Sequence, residues 1–243
     1  MNDLIALISR HRSIRRFAEG PVSQEHVRLA VAAGQSASTS SAIQSYCVIR
    51  VTDPGRRRKL AELTGPQQKV AESGAFFIIC GDTRRHRLIS ERAGRPYDAR
   101  LEAFLLAVID STLFVQNMVL AFESLGYGIC YIGGLRNNLA EVDRLLEIPT
   151  GIYPFYGLCV GVPAEEPTPR PRLPVNGVLF EDRYPDDATI LGLVDEYDST
   201  DRAYGRQRDG APRLWSTLMT EKFAEPRRVD LGRFYRGKGA NFT

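Results

Sequence analysis

The longest apolar stretch of the chain, residues 101–125, constrains the fold more than any other feature. It contains the charged or amide residues Glu102, Asp110, Gln116, Asn117 and Glu123. They rule the stretch out as a membrane span, so it predicts a long helix that is buried in a protein core. A chain of 243 residues with 43% hydrophobic residues can bury such a helix within one large domain or two small ones.

Helical and strand-like patterns alternate along the rest of the chain, without an internal repeat. Helix starts are indicated by Ser23, by Asp53 with Pro54, and by Asn138 with Glu141, which resembles a capping box. Four apolar segments predict strands: residues 46–51, 75–80, 127–132 and 153–162.

Two further segments lack a regular pattern. Residues 84–100 are polar and irregular, which indicates a mobile excursion. Residues 163–174 contain five prolines and predict a stiff, extended segment. The tail that follows is charged, with scattered aromatic residues that could dock on the body of the protein or on a partner.

Composition argues against several classes of protein. The net charge of +3 is nearly balanced, and acids lie close to the arginine clusters, which disfavours a nucleic-acid-binding protein. The first residues lack the pattern of a signal peptide. Four cysteines lie in apolar runs without metal-type spacing, and they predict reduced core residues of a cytoplasmic protein: Cys47, Cys80, Cys130 and Cys159.

Familiar catalytic motifs are missing from the sequence. Gly126-x-Gly128 has Tyr131 where a dinucleotide-binding fingerprint needs its third glycine. A Walker phosphate-binding sequence, a CxxC pair and an HExxH zinc motif do not occur. Three histidines give little basis for a hydrolytic triad or a histidine metal site. If the protein is an enzyme, a bound cofactor therefore supplies the chemistry and the chain binds and tunes it.

Residues 11–17 read His-Arg-Ser-Ile-Arg-Arg-Phe and form a basic segment just after a short amphipathic helix. A solvated helix end, which attracts cations, is the simpler interpretation. Ser13, which lies between the basic residues, favours a second interpretation, a segment that binds phosphate. Arginines and a hydroxyl together supply the charged and neutral donors that a bound phosphate requires.

Two other short motifs also have a plain and a functional interpretation. Ile132, Gly133 and Gly134 end a predicted strand, where they form a tight turn or let a flat ligand approach the backbone. Arg170 and Arg172 flank a proline, so they form a soluble surface strand or present two guanidiniums from a rigid backbone.

Several motifs follow one another in a fixed order between about residues 9 and 175. The basic segment opens the series and the Arg170–Arg172 pair closes it. Between them lie residues 38–41 with Gln44, and residues 63–67, 123–126, 131–138 and 157–161. Each motif is weak alone, but the ordered set resembles the FMN-dependent nitroreductase family. The likeness is strongest to its larger oxygen-insensitive NADPH nitroreductases and flavin reductases, and it thins beyond about residue 200.

The resemblance implies an α+β fold: a mixed, mainly antiparallel central sheet flanked by helices, in an intertwined homodimer with FMN at the interface. It implies an FMN-binding core over residues 1–175. Residues 176–243 would form a C-terminal excursion and tail that packs on this core or on the dimer partner. The implied partners are small-molecule electron acceptors, with no nucleic acid, membrane or metal.

The resemblance also assigns residues to the phosphate end of FMN. His11, Arg12 and Ser13 are expected along the phosphate and the ribityl chain. Arg170 and Arg172 are expected to close on the phosphate. Arg170 stands where the family often has lysine, which keeps the charge and adds the fork geometry of a guanidinium.

A second group of residues is assigned to the flavin ring. Arg15 is expected at the pyrimidine edge or the ribityl hydroxyls, where it tunes the flavin. Thr39, Ser41 and Gln67 are expected to hydrogen-bond around the ribityl chain and ring, with Thr39 in place of the family's usual serine. The backbone near the reactive flavin nitrogen is expected to come from Tyr131, Ile132, Gly133 and Gly134.

The implied reaction is a ping-pong hydride transfer. NADPH reduces the bound FMN and leaves, and a nitroaromatic, quinone or flavin then takes the electrons from the same cavity. A reductive dehalogenase or a dedicated flavin reductase of the same fold is the alternative, and a basic nucleic-acid-binding module is a remote one.

Three arginines near the C-terminus are candidates for binding the extra phosphate of NADPH: Arg202, Arg206 and Arg208. They crowd into what the resemblance implies is a mobile excursion. The alternative is an exposed loop in which Asp201 and Asp209 neutralise their charges.

Overall fold

A four-stranded antiparallel sheet organises the larger part of the protein in a computed structural model that describes residues 2–210 and 214–243. Its strands, in the order β1-β2-β4-β3, are β1 (Tyr46–Arg50), β2 (Ala75–Asp82), β3 (Gly128–Ile132) and β4 (Ile152–Gly161). Within the described residues, parallel pairing is limited to an isolated bridge between Ser13 and Ile129. The prediction of a mainly antiparallel sheet is therefore confirmed.

The described part of the chain contains ten α-helices. They are α1 (Asp3–Ser9), α2 (Gln24–Gln35), α3 (Pro54–Leu63), α4 (Lys69–Glu72), α5 (Arg84–Arg92), α6 (Leu101–Ser124), α7 (Leu139–Leu146), α8 (Asp187–Asp209), α9 (Trp215–Ala224) and α10 (Leu231–Gly237). Two predicted helix starts are confirmed. Ser23 accepts a hydrogen bond from the backbone of His26 at 3.0 Å, and Asp53 accepts one from Arg56 at 2.6 Å.

The two faces of the sheet are covered by different helices, because successive residues of a strand point in opposite directions. Along β2, Phe77 and Ile79 pack with α2 and α6. The alternate residues Phe76 and Ile78 pack with side chains of α3, α7 and α10. Burial on both faces explains why all eight residues of β2 are buried.

Helix α6 is the long core helix that the sequence predicts. Phe114, Met118 and Phe122 are fully buried against the sheet, and the polar Asp110 and Ser111 are buried with them. By length and composition α6 could cross a membrane. Its packing against the sheet and α2 instead makes it part of a folded core.

The four cysteines are free thiols, as predicted, and they lie opposite one another on paired strands. Cys47 faces Cys80 across β1 and β2, and Cys130 faces Cys159 across β3 and β4. Burial raises the pKa of Cys159 to about 12 and raises the pKa of Cys130. These two thiols therefore stay protonated and unreactive at neutral pH.

Two local predictions are wrong. Residues 84–92 form helix α5 rather than an irregular excursion, because Asp82 accepts the backbone N–H of Arg85 and Arg87 pairs with Glu91 one turn later. The capping box at Asn138 does not form. Its side-chain amide donates instead to the carbonyl of Leu63 at 2.7 Å, which ties the start of α7 to the end of α3.

The chain separates into two compact units. One contains residues up to 167 together with residues 228–243, and the other contains residues 168–227. Helices α8 and α9 belong to the second unit, whereas α10 belongs to the first. These boundaries differ from the single boundary at residue 175 that the sequence predicts. The predicted separation of an FMN-binding core from a tail stays a prediction.

Candidate active site

The basic segment is held along β3. Ser13 forms the parallel bridge with Ile129, and the backbone N–H of Ile14 donates to the Ile129 carbonyl at 2.8 Å. Ile14 is buried, and its side chain packs closely on Gly128: a Cβ at position 128 would lie 2.5 Å from it. The segment is therefore fixed by backbone pairing and by close packing, and its polar side chains stand on a rigid element.

His11 is bound to a carboxylate from the long helix. Its Nδ1 lies 2.6 Å from Oε1 of Glu123, near the end of α6. Both side chains line a cavity of about 680 Å³, together with Arg10 and Arg12. The cavity is therefore lined by His11 and Arg12, two of the residues that the sequence assigns to a phosphate.

Glutamates pair with two arginines of the basic segment. Arg12 pairs with Glu166 at 2.6 Å, and Arg16 pairs with Glu165 at 3.0 Å. Burial acts to raise the pKa of the Glu165 carboxyl group. Hydrogen bonds from the backbone of Arg15 and Arg16 and from the Arg16 guanidinium outweigh this effect, so the pKa is lowered. The Glu165 carboxylate thus fixes the end of the basic segment.

The Arg15 side chain is exposed and makes no hydrogen bond or ion pair within the described residues. Its charge, like that of Lys69 on α4, acts to lower the pKa of the Cys130 thiol, whose pKa burial raises. Arg15 and Lys69 therefore lie near the same residue of β3. Lys69 is not predicted from the sequence, since a single lysine on a short helix carries no motif.

The glycine turn after β3 meets the end of α3. A Cβ on Gly134 would lie 2.2 Å from the carbonyl oxygen of Thr64 and 2.4 Å from Nε2 of Gln67. The Gln67 side chain itself donates to the Thr64 carbonyl at 2.6 Å. Two residues assigned to the flavin, Gln67 and Gly134, are thus in direct contact, and only glycine fits at position 134.

A second cavity, of about 350 Å³, opens beside Gly133. Tyr131 donates to the side chain of Gln116 on α6 at 3.2 Å and packs edge-to-face on Tyr156, with ring centroids 5.6 Å apart. Arg136 lines the same cavity and donates to the Phe155 carbonyl at 2.7 Å. Of the residues that line this cavity, Tyr131 and Gly133 are predicted from the sequence. The others are not, because they come from separate elements and share no motif.

Burial raises the pKa of Tyr131 and of Tyr156 above the ordinary range of a phenol. Both hydroxyls therefore stay protonated at neutral pH and act as hydrogen-bond donors. The cavity beside Gly133 combines two flat aromatic walls with neutral donors and one guanidinium, which suits a planar, polar-edged ligand.

The serine-rich turn before β1 has an unusual backbone. Ser41, Ala42 and Gln44 have φ values of 48°, 56° and 54°, a region that non-glycine residues rarely adopt. The end of the turn is fixed to α6, because the backbone N–H of Ser45 donates to the buried carboxylate of Asp110 at 2.9 Å. Such strain persists only where the surrounding structure imposes it, and it is common at binding sites.

Thr39 and Ser41 lie in this turn, and their hydroxyls make no hydrogen bond within the described residues. The predicted contacts of Thr39 and Ser41 with the cofactor stay a prediction.

Arg170 and Arg172 lie in the second unit. Arg170 pairs with both oxygens of the buried Asp201 at 3.2 Å, and Arg172 donates to the Arg170 carbonyl. Both arginines line a cavity of about 310 Å³ with the aromatic residues Tyr197 and Trp215. The unit therefore presents two cations beside aromatic rings.

The candidate NADPH arginines are on helix α8, so the alternative of an exposed loop is wrong. Arg202 and Arg206 are exposed and stand one turn apart on α8. Asp201 does not neutralise them, because its carboxylate is buried and bound to Arg170. The side chains of Arg208 and Asp209 lie outside the described residues.

The residues of the first unit fit FMN, the cofactor that the sequence implies. A phosphate-bearing flavin needs cationic donors at one end and a close backbone approach at the other. The basic segment and the turn at Gly133 provide these at two points along β3. The described residues contain no cluster of three or more histidine, cysteine or acidic side chains that could hold a metal ion.

Comparison with known proteins gives matches over nearly the whole chain. The nitroreductase family model matches residues 8–162, and the model of the nitroreductase family C-terminal domain matches residues 170–243. The chain is 38% identical to an FMN reductase (NADPH) of Bacillus subtilis, over 99% of both chains. It is 42% identical to an oxygen-insensitive NADPH nitroreductase of Salmonella typhimurium, over 81% of both.

The fold has close counterparts among solved structures as well. The NADPH:FMN oxidoreductase of Vibrio harveyi, solved in complex with NAD+, superimposes with a TM-score of 0.90 at 35% identity. The match covers 98% of this chain and 99% of the other. Sequence motifs, fold and both family models agree, and the chain belongs to the nitroreductase family.

Proposed function

We propose that the protein is an FMN-dependent oxidoreductase that oxidises NADPH and reduces nitroaromatics, quinones or flavins. One observation carries the proposal: the basic segment is paired to the same strand whose end forms the Gly133–Gly134 turn. The names of the relatives, which include an FMN reductase (NADPH) and an NADPH-flavin oxidoreductase, support it.

The spacing along β3 suits this cofactor. Ser13 pairs with Ile129, and Gly133 follows four residues later, which corresponds to about 13 Å of strand. A ribityl chain and part of a flavin ring extend over a distance of this order. Cations at one end and backbone amides at the other therefore match the two ends of one ligand.

Each predicted site residue has a role in this proposal. His11, Arg12 and Ser13 bind the phosphate and ribityl chain. The expected contact of Arg170 and Arg172 with the phosphate stays a prediction. The remaining residues surround the ribityl chain and the ring: Arg15, Thr39, Ser41, Gln67, Tyr131, Ile132, Gly133 and Gly134. Bound FMN supplies hydride transfer. The donors at the ring edge stabilise negative charge there, which is electrostatic preorganisation rather than acid–base catalysis by a side chain.

The proposed assembly is a homodimer. On α6, the side opposite the sheet exposes four large apolar residues one turn apart: Leu101, Leu105, Ile109 and Leu113. Gln116, which binds Tyr131 of the cavity beside Gly133, continues the same side of the helix. A second copy that covers this stripe would bury it by two-fold symmetry and would complete the cavity. A cytoplasmic location remains a prediction, supported by four free cysteines, three of which are buried.

Steady-state kinetics test whether NADPH and the acceptor use one cavity in turn. We expect a ping-pong pattern with parallel double-reciprocal lines. Intersecting lines would show that both bind together and would contradict the shared cavity. The same assay with nitroaromatics, quinones, flavins and halogenated phenols identifies the acceptor class, and preference for a halogenated phenol would favour a dehalogenase.

Replacing Arg202 and Arg206 by alanine tests the NADPH site. We expect the KM for NADPH to rise about tenfold with little change in kcat, since two exposed charge-assisted contacts contribute about 1–2 kcal/mol together. The phosphate lies far from the hydride, so these contacts act equally in the ground and transition states. The KM for NADH should stay unchanged.

A matched control replaces the exposed Arg92 and Arg95 of the first unit, and it should leave both KM values unchanged. If the Arg202/Arg206 variant loses activity with NADH as strongly as with NADPH, α8 has another role.

A further inference from the structure

Among the side chains of the basic segment, His11 differs in its partner. Arg12 pairs with an exposed glutamate, Glu166, whereas His11 is bound to a carboxylate that is 11% exposed. Glu123 comes from α6, 112 residues away in the chain. Its second oxygen, Oε2, is buried and has no hydrogen-bond partner within the described residues. A carboxylate held in this way costs stability, and its one hydrogen bond is to His11.

The basic segment does not need Glu123 as an anchor. Ser13 and Ile14 already pair with Ile129 of β3, and the buried Ile14 side chain packs against Gly128. At the other end, Glu165 binds the backbone of Arg15 and Arg16. The contact between Glu123 and His11 therefore controls the imidazole ring more than it controls the path of the chain.

The contact also decides which ring nitrogen remains for a ligand. A histidine whose Nδ1 is bound to a carboxylate has its orientation and its Nδ1 proton fixed, which leaves Nε2 for a second partner. If that partner is a phosphate, the ring donates to an anion on each side. Because Nδ1 stays on the Glu123 carboxylate, that contact sets the direction in which Nε2 meets the phosphate.

We propose that Glu123 is a positioning residue for cofactor binding: it holds Nδ1 of His11 so that the ring binds the phosphate of FMN through Nε2. The inference rests on the proposed function, in which His11 lies at that phosphate. The other acids of the cavity, Glu165 and Glu166, bind the arginines and the backbone of the segment. Glu123 is the acid bound to His11.

A double-mutant cycle with two ligands tests the inference. Full-length apoprotein is titrated with FMN and with riboflavin, which lacks the phosphate, and binding is followed by flavin fluorescence. Glu123→Gln keeps the size of the side chain but removes its charge. We expect it to weaken FMN binding about fivefold, to leave riboflavin binding unchanged, and to add nothing in a His11→Gln background.

The control is Glu62→Gln, which makes the same chemical change at an exposed glutamate paired with Lys59. It should change neither affinity. Thermal unfolding of each apoprotein shows whether the variant folds. If Glu123→Gln does not, Glu123→Asp replaces it, because the shorter side chain withdraws the carboxylate from Nδ1 and should give the same pattern.

Different results would contradict the place of His11 at the phosphate and the positioning role of Glu123. If His11→Gln leaves FMN affinity unchanged, His11 is not at the phosphate and the proposed site is wrong at that end. If His11→Gln weakens FMN binding but Glu123→Gln does not, the positioning role is overturned. Equal losses for FMN and riboflavin, or additive losses in the double variant, would also overturn it by showing a general structural effect.

Discussion

Gly134→Ala should lower the free energy of unfolding by about 2–3 kcal/mol and weaken FMN binding at least about tenfold. The added Cβ would lie 2.2 Å from the Thr64 carbonyl oxygen, a backbone atom that cannot move without shifting the end of α3. Overpacking of this kind costs about 1–3 kcal/mol. Because Gln67 binds the same carbonyl, the displacement should reach a second residue of the proposed flavin site.

Gly133→Ala is the matched control, one residue away in the same turn. A Cβ there would meet its nearest atom, on the Arg136 side chain, at 3.4 Å, which is ordinary contact. Neither glycine has a positive φ, so the two variants differ in packing rather than in backbone strain. Urea unfolding of both apoproteins gives the comparison. Equal stability of the two variants would contradict the account of the turn.

Ile109→Glu should convert the protein to a monomer and remove most of its FMN. The substitution puts a carboxylate in the middle of the exposed apolar stripe on α6, and two-fold symmetry would place it in the interface twice. A buried, unpaired charge costs several kcal/mol, so the dimer dissociation constant should rise more than about a thousandfold. Analytical ultracentrifugation measures the change, and the absorbance of bound flavin measures the loss of cofactor.

Leu88→Glu, at an exposed leucine on α5, is the control for added charge at an apolar surface position. It should leave the assembly and the FMN content unchanged. A dimer that persists in the Ile109→Glu variant would show that the stripe on α6 is not the interface.

Features set by short stretches of sequence could be predicted. The apolar run of α6 has the composition of a core helix, and the strands follow from continuous apolar segments. Ser23 and Asp53 form their caps with residues three positions later, so the signal is local. Helix α5 was missed because its stability comes from ion pairs of Arg85 and Arg87 rather than from an apolar stripe.

Contacts between distant residues could not be read from the sequence. The order of motifs identified the family, and with it His11, Gln67 and Gly134 as candidate site residues. It did not show that Gln67 touches Gly134, or that Glu123 binds His11. Both contacts join elements more than 60 positions apart in the chain, and they depend on how the sheet brings those elements together.

The central claim is that this chain binds FMN and that NADPH reduces it. The most direct test is an anaerobic titration of the FMN-loaded protein with NADPH, followed by the visible absorption of the flavin. We expect one FMN per chain to be bleached by one equivalent of NADPH, and a nitroaromatic added afterwards to restore the absorption. A protein that does not retain FMN, or whose bound FMN keeps its absorption when NADPH is added, would contradict the account.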